Sequence, residues 1–193
     1  CSSDLENSSN TISDALENIT LNLNDVTTGN QTLTITQDTS KAQTAIKDWV
    51  NAYNSLIDTF SSLTKYTAVD AGADSQSSSN GALLGDSTLR TIQTQLKSML
   101  SNTVSSSNYK TLAQIGITTD PSDGKLELDA DKLTAALKKD ASGVGALIVG
   151  DGKKTGITTT IGSNLTSWLS TTGIIKAATD GVSKTLNKLT KDY

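Results

Sequence analysis

The sequence predicts an α+β protein, in which a helical coiled coil or bundle carries small antiparallel hairpins. Residues 40–63 repeat large apolar side chains at heptad spacing, as a packed helix requires. Residues 19–36 and 115–128 instead alternate apolar and polar side chains around turn-forming residues, as hairpins do. The hydrophobic fraction of the sequence, 35%, is low for a compact globular protein. An elongated body fits this fraction better, because a rod buries only one stripe of each helix.

The apolar stripe of residues 40–63 is the strongest pattern in the chain. Its members are separated by steps of four and three, the a/d repeat through which helices wind around each other. Val50 and Ile57 widen the stripe to one side, and Asp38 or Thr39 can accept hydrogen bonds from the first N–H groups. We therefore predict one long helix that packs through Ala42, Ile46, Trp49, Tyr53, Leu56, Phe60 and Leu63.

The segment before this helix predicts one hairpin. Residues 1–18 are polar, and Ser13 could cap a single helical turn there. Residues 19–24 and 32–36 alternate apolar and polar side chains on either side of a turn at residues 25–30. Two strands alone are only marginally stable in water. We therefore expect the hairpin to belong to a larger sheet, partly supplied by chain that is absent here.

A second helix is predicted after a polar linker. Residues 67–82 are small and polar without periodicity, which is typical of a mobile loop. Asp86 or Ser87 can cap the helix that follows. Its apolar residues step by three and four, so we expect it to lie along the first helix through Leu89, Ile92, Leu96 and Met99.

A second hairpin is predicted at about residues 112–128. Pro121 presets the backbone for its turn, and Gly124 can supply the positive φ that such a turn needs. Asp129 can then cap a helix that runs to about residue 139. Residues 141–149 could extend it, although Gly143 and Gly145 weaken a helix.

Two more helices are predicted in the last third of the chain. Apolar spacing places one at residues 157–169 and the other from about residue 179 onwards. The last helix carries two further members of the packing stripe, Leu186 and Leu189. Because its apolar repeat still runs at the final residue, we expect the chain to be a fragment of a longer protein.

The composition argues against several classes of function. The chain has no histidine, which removes imidazole metal ligands and the commonest general base. Its single cysteine, Cys1, cannot form an internal disulfide. A net charge of −4 with scattered basic residues argues against nucleic acid, and no apolar run is long enough for a membrane span. We expect no enzyme, no metal and no cofactor.

Two motifs favour turns over binding sites. Residues 150–155 read GDGKKT, but Leu147 stands where a phosphate-binding loop of the Walker type requires glycine. Aspartates at 120, 123, 129 and 131 lack the alternate spacing and bidentate glutamate of a calcium loop. We predict that these carboxylates form turns and cap helices.

Four short motifs occur in a fixed order along the chain. They are WVNAYNSLI at residues 49–57, LGDSTLR at 84–90, LAQIGI at 112–117, and GKLELD at 124–129 with Lys132 and Leu133 after it. In this order they resemble the hook-associated protein 2 (FliD) family of flagellar filament caps. The likeness runs from about Ser8 to the end of the chain.

The resemblance implies a secreted assembly protein without enzymatic activity, located at the tip of the bacterial flagellum. It implies a ring of about five or six copies that helps flagellin fold and polymerise and prevents its loss. Filament elongation and motility would depend on this ring. Other implied partners are the hook–filament junction proteins and an export chaperone, which binds a C-terminal segment that this chain lacks.

The resemblance also implies a division of the chain. Residues 1–38 would be part of a β-rich head domain. Residues 39–193 would form a helical leg domain, with the hairpin at about residues 112–128 inserted in it. The N-terminal leg helix, most of the head and both terminal segments would be missing.

Two alternatives remain open at this point. An adhesin-type module could use the threonine-rich hairpins to bind host glycan or mucin, for which it would need an exposed aromatic platform or edge strand. A different flagellar axial protein would share terminal heptads but lack the AYN and LGD pieces of the motifs.

Overall fold

The structure is a computed structural model that describes residues 8–16, 19–29, 31–32, 38–101 and 108–192. The chain divides into two compact units, residues 1–36 and residues 37–193. Cys1 and most of the strand predicted at residues 32–36 lie outside the described residues.

The first unit contains a hairpin that the sequence did not predict. Strand β1 (Thr11–Leu16) pairs antiparallel with β2 (Ile19–Asn22), and Ile12 lies opposite Leu21. The helical turn predicted at Ser13 is therefore wrong, because this residue lies in β1. Pairing with β2 supplies ladder hydrogen bonds, whereas a single helical turn fixes several residues for one bond.

The second unit is a mixture of helices and one small antiparallel hairpin. In chain order its elements are α1 (Ser40–Leu63), α2 (Ser87–Ser101), a 3₁₀ turn (Leu112–Ile115), β3 (Ile117–Thr119), β4 (Leu126–Leu128), α3 (Ala130–Ile148), α4 (Ile157–Leu169) and α5 (Ile174–Asp192). Strands β3 and β4 pair antiparallel, as predicted.

Carboxylates begin three of these helices at the predicted places. The Asp38 carboxylate accepts a hydrogen bond of 2.9 Å from the N–H of Ser40, at the start of α1. Asp86 accepts from the N–H of Leu89 at 2.7 Å in α2, and Asp129 caps α3 in the same way. Each bond satisfies an N–H group that has no partner inside its helix.

Helix α3 includes the possible extension after residue 139, and it restarts there after a break. Asp140 is extended, with φ −159° and ψ 81°, so the helical backbone is interrupted there. Its carboxylate accepts a hydrogen bond of 2.7 Å from the N–H of Gly143 and so caps the second half. Asn108 donates to the same carboxylate at 2.7 Å.

Helix α5 begins at Ile174, earlier than the predicted start near residue 179. The N–H of Gly173 donates to the carbonyl of Ser170 at 2.9 Å, which closes the turn between α4 and α5. The N–H of Ala177 then donates to the carbonyl of Gly173 at 3.0 Å, as in a helix. Two adjacent β-branched residues at the start lower helix propensity and conceal it in the sequence.

The linker between α1 and α2 is tied together at its base. The N–H of Gly81 donates to the carbonyl of Lys65 at 2.8 Å, and the N–H of Thr67 donates to the Asn80 side chain at 2.7 Å. The segment predicted as an unstructured linker is therefore an Ω-type loop with joined ends.

The core of the second unit is a single cluster of side chains from α1 to α4, the 3₁₀ turn and both strands. Leu96, Ile115 and Leu147 are almost fully enclosed, at 1%, 0% and 0% exposure. Among the described residues, no helix combines the length and hydrophobicity needed to cross a membrane.

Candidate assembly surface

The α1 stripe divides into buried, half-buried and exposed members. Ile46, Tyr53 and Phe60 are buried, Trp49, Leu56 and Leu63 are half-buried at the edge of the core, and Ala42 is exposed. The stripe thus contributes to the core along most of the helix but leaves its first turn uncovered.

The buried seam of α1 is shifted by one residue at two places. Val50 and Ile57 are 4% and 6% exposed, whereas their neighbours Trp49 and Leu56 are only half-buried. The seam therefore follows residues 46, 50, 53, 57 and 60, which is also a four–three repeat. Spacing alone cannot separate two adjacent apolar frames, because a helix drifts against a strict seven-residue repeat.

The α2 stripe lies inside the core. Leu89, Ile92, Leu96 and Met99 are all less than a tenth exposed, and Leu100 is buried beside them. Helix α2 therefore uses its whole apolar face within the chain.

The α5 stripe is unpartnered within the described chain. Leu186 and Leu189, predicted to pack, are 62% and 51% exposed, and Val182 is 69% exposed. Every described side chain from residue 181 to residue 191 is exposed. The side chains that the heptad pattern predicts to pack therefore remain largely in solvent in the described chain.

The first turns of α5 do pack on the rest of the unit. Ile175, Ala178 and Thr179 line a cavity of about 300 Å³ with Leu89 and Ile92 of α2. Ile175 and Thr179 belong to the same helical face as the exposed stripe. The cavity thus lies on the same face of α5 as the exposed stripe.

A second open apolar surface lies between α1, α3 and α4. It is a groove of about 430 Å³ that sequence periodicity did not reveal, since its wall combines residues of several helices. It is lined by Asp38, Thr39, Ala42, Ala45, Ile46, Trp49, Leu137, Ala141, Val144, Gly145, Ile148, Val149 and Thr158. The exposed Ala42 and half-buried Trp49 of the α1 stripe thus belong to a surface that could receive further chain.

The β3–β4 hairpin is fastened to the middle of α1 by polar contacts. The Asn54 side chain exchanges two hydrogen bonds with the backbone of Leu126, of 2.7 Å and 2.9 Å. The Tyr53 hydroxyl donates to the carbonyl of Gly124 at 3.3 Å. Both residues lie in the WVNAYNSLI motif, but only tertiary structure reveals this contact, because its two sides are about seventy residues apart.

The GDGKKT segment uses its own N–H groups. The Asp151 carboxylate accepts hydrogen bonds from the N–H groups of Lys153, Lys154 and Thr155, at 3.0, 2.8 and 2.8 Å. These bonds, first of all that from the N–H of Thr155, hold the pKa of Asp151 far below its usual range. The segment is therefore a turn around a carboxylate, and its N–H groups do not point to a phosphate.

Metal-ligating side chains are dispersed in the described part of the chain. Within residues 8–16, 19–29, 31–32, 38–101 and 108–192, no three of them gather at one place. The candidate surface consists of apolar side chains on helix faces.

Comparison with known families identifies the chain. A family model described as Flagellar hook-associated protein 2 C-terminus matches residues 2–193. The chain belongs to the flagellar hook-associated protein 2 family. Flagellar hook-associated protein 2 of Escherichia coli strain K12 is 99% identical to it over 189 residues, which are 98% of this chain and 40% of that protein.

More distant members of the family match the same region. The flagellar hook-associated protein 2 of Salmonella typhimurium is 54% identical over 190 residues, covering 98% of this chain and 40% of that protein. The chain thus spans about two fifths of the length of these two relatives.

A solved structure of a hook-associated protein 2 shares the fold. The crystal structure of the flagellar cap protein FliD from Escherichia coli, domains D1–D2–D3, matches with a TM-score of 0.69 and 92% identity. The match covers 92% of this chain and 46% of that chain. It confirms the prediction of helices with small antiparallel hairpins. The family match leaves an adhesin module or another axial protein without support.

Proposed function

We propose that this chain is the C-terminal part of a flagellar filament cap, located outside the cell at the distal end of the filament. The intact protein promotes folding and polymerisation of flagellin, prevents its loss, and is required for filament elongation and motility. It acts by assembly and not by catalysis. The observation that carries the proposal is the 99% identity over 98% of the chain to a flagellar hook-associated protein 2.

The proposed domain division assigns residues 1–38 to the head and residues 39–193 to the helical leg, with the hairpin at about 112–128 inserted. Support comes from the separation into two compact units after residue 36. The first unit holds a hairpin, and the second holds all five described α-helices.

The proposed assembly surface combines the α5 stripe with the groove beside Trp49. Three apolar side chains on one face of α5 are exposed by half or more, so each leaves unused part of the about 1.5–3 kcal/mol that full burial contributes. The relatives have additional length outside the region that matches this chain. We propose that the N-terminal leg helix of the intact protein covers these faces and completes the leg.

The proposed partners follow from the cap function. Copies of the intact protein form a ring of about five or six subunits, which contacts flagellin below it. The hook–filament junction proteins provide the first platform for the ring. An export chaperone binds the segment that follows this chain, before secretion.

Complementation of a strain that lacks its own cap tests the proposal. The intact wild-type protein should restore filaments, swimming and a low level of flagellin in the medium. Failure of the folded wild-type protein to restore any of these would reject the cap function.

Variants of α5 in the intact protein test the assembly surface. V182S/L186S/L189S should abolish swimming and raise secreted monomeric flagellin, because the leg helix loses its apolar contact. The control K184S/N187S/K188S changes neighbouring residues of the same helix turns and should swim normally. Full swimming with the first variant would reject this face as a packing surface while leaving the cap function intact.

A further inference from the structure

The contact between Asn54 and β4 has the form of a strand pairing made by one side chain. The Oδ1 atom of Asn54 accepts from the N–H of Leu126 at 2.7 Å, and its Nδ2 atom donates to the carbonyl of the same residue at 2.9 Å. A neighbouring β-strand would offer the same acceptor and donor to one residue. Only one orientation of the amide satisfies both bonds.

The register of the hairpin places these groups on the outer edge of β4. Leu126 lies opposite Thr119 in the β3–β4 pairing. The N–H of Asp120 donates to the carbonyl of Lys125 at 2.8 Å, so this neighbouring pair is the hydrogen-bonded one. In an antiparallel ladder such pairs alternate, so the N–H and carbonyl of Leu126 point away from β3.

Leaving the backbone N–H and carbonyl of Leu126 without partners would lower the stability of the folded chain. Leu126 is 3% exposed, so water has little access to its backbone, and buried unpaired groups cost more than a hydrogen bond contributes. Edge strands with free N–H and carbonyl groups also pair readily with other chains. Asn54 is half-buried and belongs to α1. The helix therefore positions its side-chain amide at this edge of β4.

We propose that Asn54 acts as a one-residue strand that seals the outer edge of β4 and fixes the hairpin on α1. Flanking contacts support this position on both sides. The Tyr53 hydroxyl donates to the carbonyl of Gly124 at 3.3 Å, and Lys125 pairs with Asp58 at 2.7 Å. Among the described contacts of this hairpin with α1, only that of Asn54 pairs with both the N–H and the carbonyl of one strand residue. The inference does not depend on the cap function.

Hydrogen–deuterium exchange in the full chain tests the seal directly. In Asn54→Leu, which keeps the size but removes both bonds, the Leu126 amide should exchange about tenfold faster than in the wild type. Exchange of the Leu96 amide in α2 serves as reference for any general loss of stability. Asn51→Leu, the same change on an exposed part of α1, should leave Leu126 exchange unchanged. Equal Leu126 exchange in Asn54→Leu and wild type would overturn the proposal.

A second variant separates hydrogen bonding from packing and keeps the test valid if Asn54→Leu fails to fold. In Asn54→Asp, a carboxylate faces the Leu126 carbonyl at neutral pH and repels it. When protonated, the acid can again donate to the carbonyl and accept from the N–H. The loss in unfolding midpoint relative to wild type should therefore shrink from about pH 7 to about pH 4. A loss that stays constant with pH, with Asn51→Asp as control, would mean that Asn54 only fills space.

Discussion

Phe60 is the aromatic side chain by which the end of α1 is anchored in the core. It is 8% exposed and belongs to the same buried cluster as the α2 residues. Phe60→Ala should lower the free energy of unfolding by about 3–4 kcal/mol, since it removes buried surface and leaves a cavity. Urea unfolding followed by circular dichroism measures this loss.

Asp58 provides the matched control on the same turn of α1. It forms an ion pair of 2.7 Å with Lys125, but its side chain is 62% exposed. Exposed ion pairs are screened by water and contribute less than about 1 kcal/mol. Asp58→Ala should therefore shift the urea midpoint far less than Phe60→Ala. Equal shifts would contradict the assignment of the buried seam.

The Asp151 turn gives the second prediction at the scale of single residues. The pKa of this carboxyl is lowered by the N–H groups of Thr155, Lys154 and Lys153. A depressed pKa in the folded state means that the contribution to stability is present above the unfolded pKa, near 4, and is lost as the pH falls below it. Wild type should thus be more stable than Asp151→Asn at pH 6, and the difference should shrink towards about pH 2.

Urea midpoints measured across this pH range check the prediction. Asp74→Asn, in the exposed loop between α1 and α2, controls for the removal of one negative charge. A difference between wild type and Asp151→Asn that grows on acidification would show that the turn is not held by the ionised carboxylate.

Local chemistry was predictable at single residues, whereas contacts between distant residues were not. Asp86 and Asp129 could be recognised as caps because the N–H groups they bind lie three residues further along the chain. Asn54 binds the backbone of Leu126, which is 72 residues away. No periodicity in the sequence marks such a contact, although the family motif contains the residue.

At the scale of elements, the turn between α3 and α4 brings the backbones of two glycines close together. Gly150 and Gly156 both have positive φ, and a Cβ on Gly156 would lie 2.2 Å from the carbonyl atoms of Val149. Gly156→Ala should therefore destabilise the chain by about 2–4 kcal/mol, through backbone strain and overlap together.

Gly162 offers the same substitution without the overlap. It lies within α4, and a Cβ there would meet nothing within 4 Å. Gly162→Ala should stabilise the chain by about 0.5–1 kcal/mol, because alanine loses less backbone freedom in a helix. Thermal unfolding of the two variants should move in opposite directions, and a matching decrease would contradict the structure of this turn.

Element boundaries were predictable where polar caps and a long apolar repeat coincide. Helix α1 has the bounds expected from its stripe, since an aspartate precedes it and no glycine interrupts it. The start of α5 was missed, because it depends on a turn at Gly173 and not on a side-chain cap. The strand pairing of β1 was missed because the choice of partner is set by tertiary structure.

At the scale of the whole molecule, burial separates a helix whose apolar stripe is covered within the chain from one whose stripe is exposed. Helix α2 buries its entire apolar stripe, whereas α5 exposes Val182, Leu186 and Leu189 by half or more. The sequence assigned both stripes to packing, but it could not tell which partner each one has. An apolar repeat predicts that one face of a helix is packed. Only the structure shows whether another part of this chain covers that face.

The exposed residues also predict how strongly this chain associates with itself. Stable interfaces bury about 1,200–2,000 Å² in total and rely on aromatic or arginine anchors. Arg90 is the only arginine in the sequence. Among the described residues, Tyr66 is the one aromatic side chain that is mostly exposed, at 64%. Pairing of two α5 stripes would bury only a few side chains on each copy, which is too little for a stable dimer.

We therefore expect the chain to remain largely monomeric at micromolar concentration, whereas the intact protein should form the proposed ring. Light scattering across a concentration series measures the mass of each. The triple variant V182S/L186S/L189S should abolish any residual association of the chain, because it removes three exposed apolar side chains from one face of α5. If the chain alone formed a ring that persisted on dilution to nanomolar concentration, the helical unit itself would contain the subunit interface. The covering of α5 by the remaining part of the protein would then not be needed for assembly.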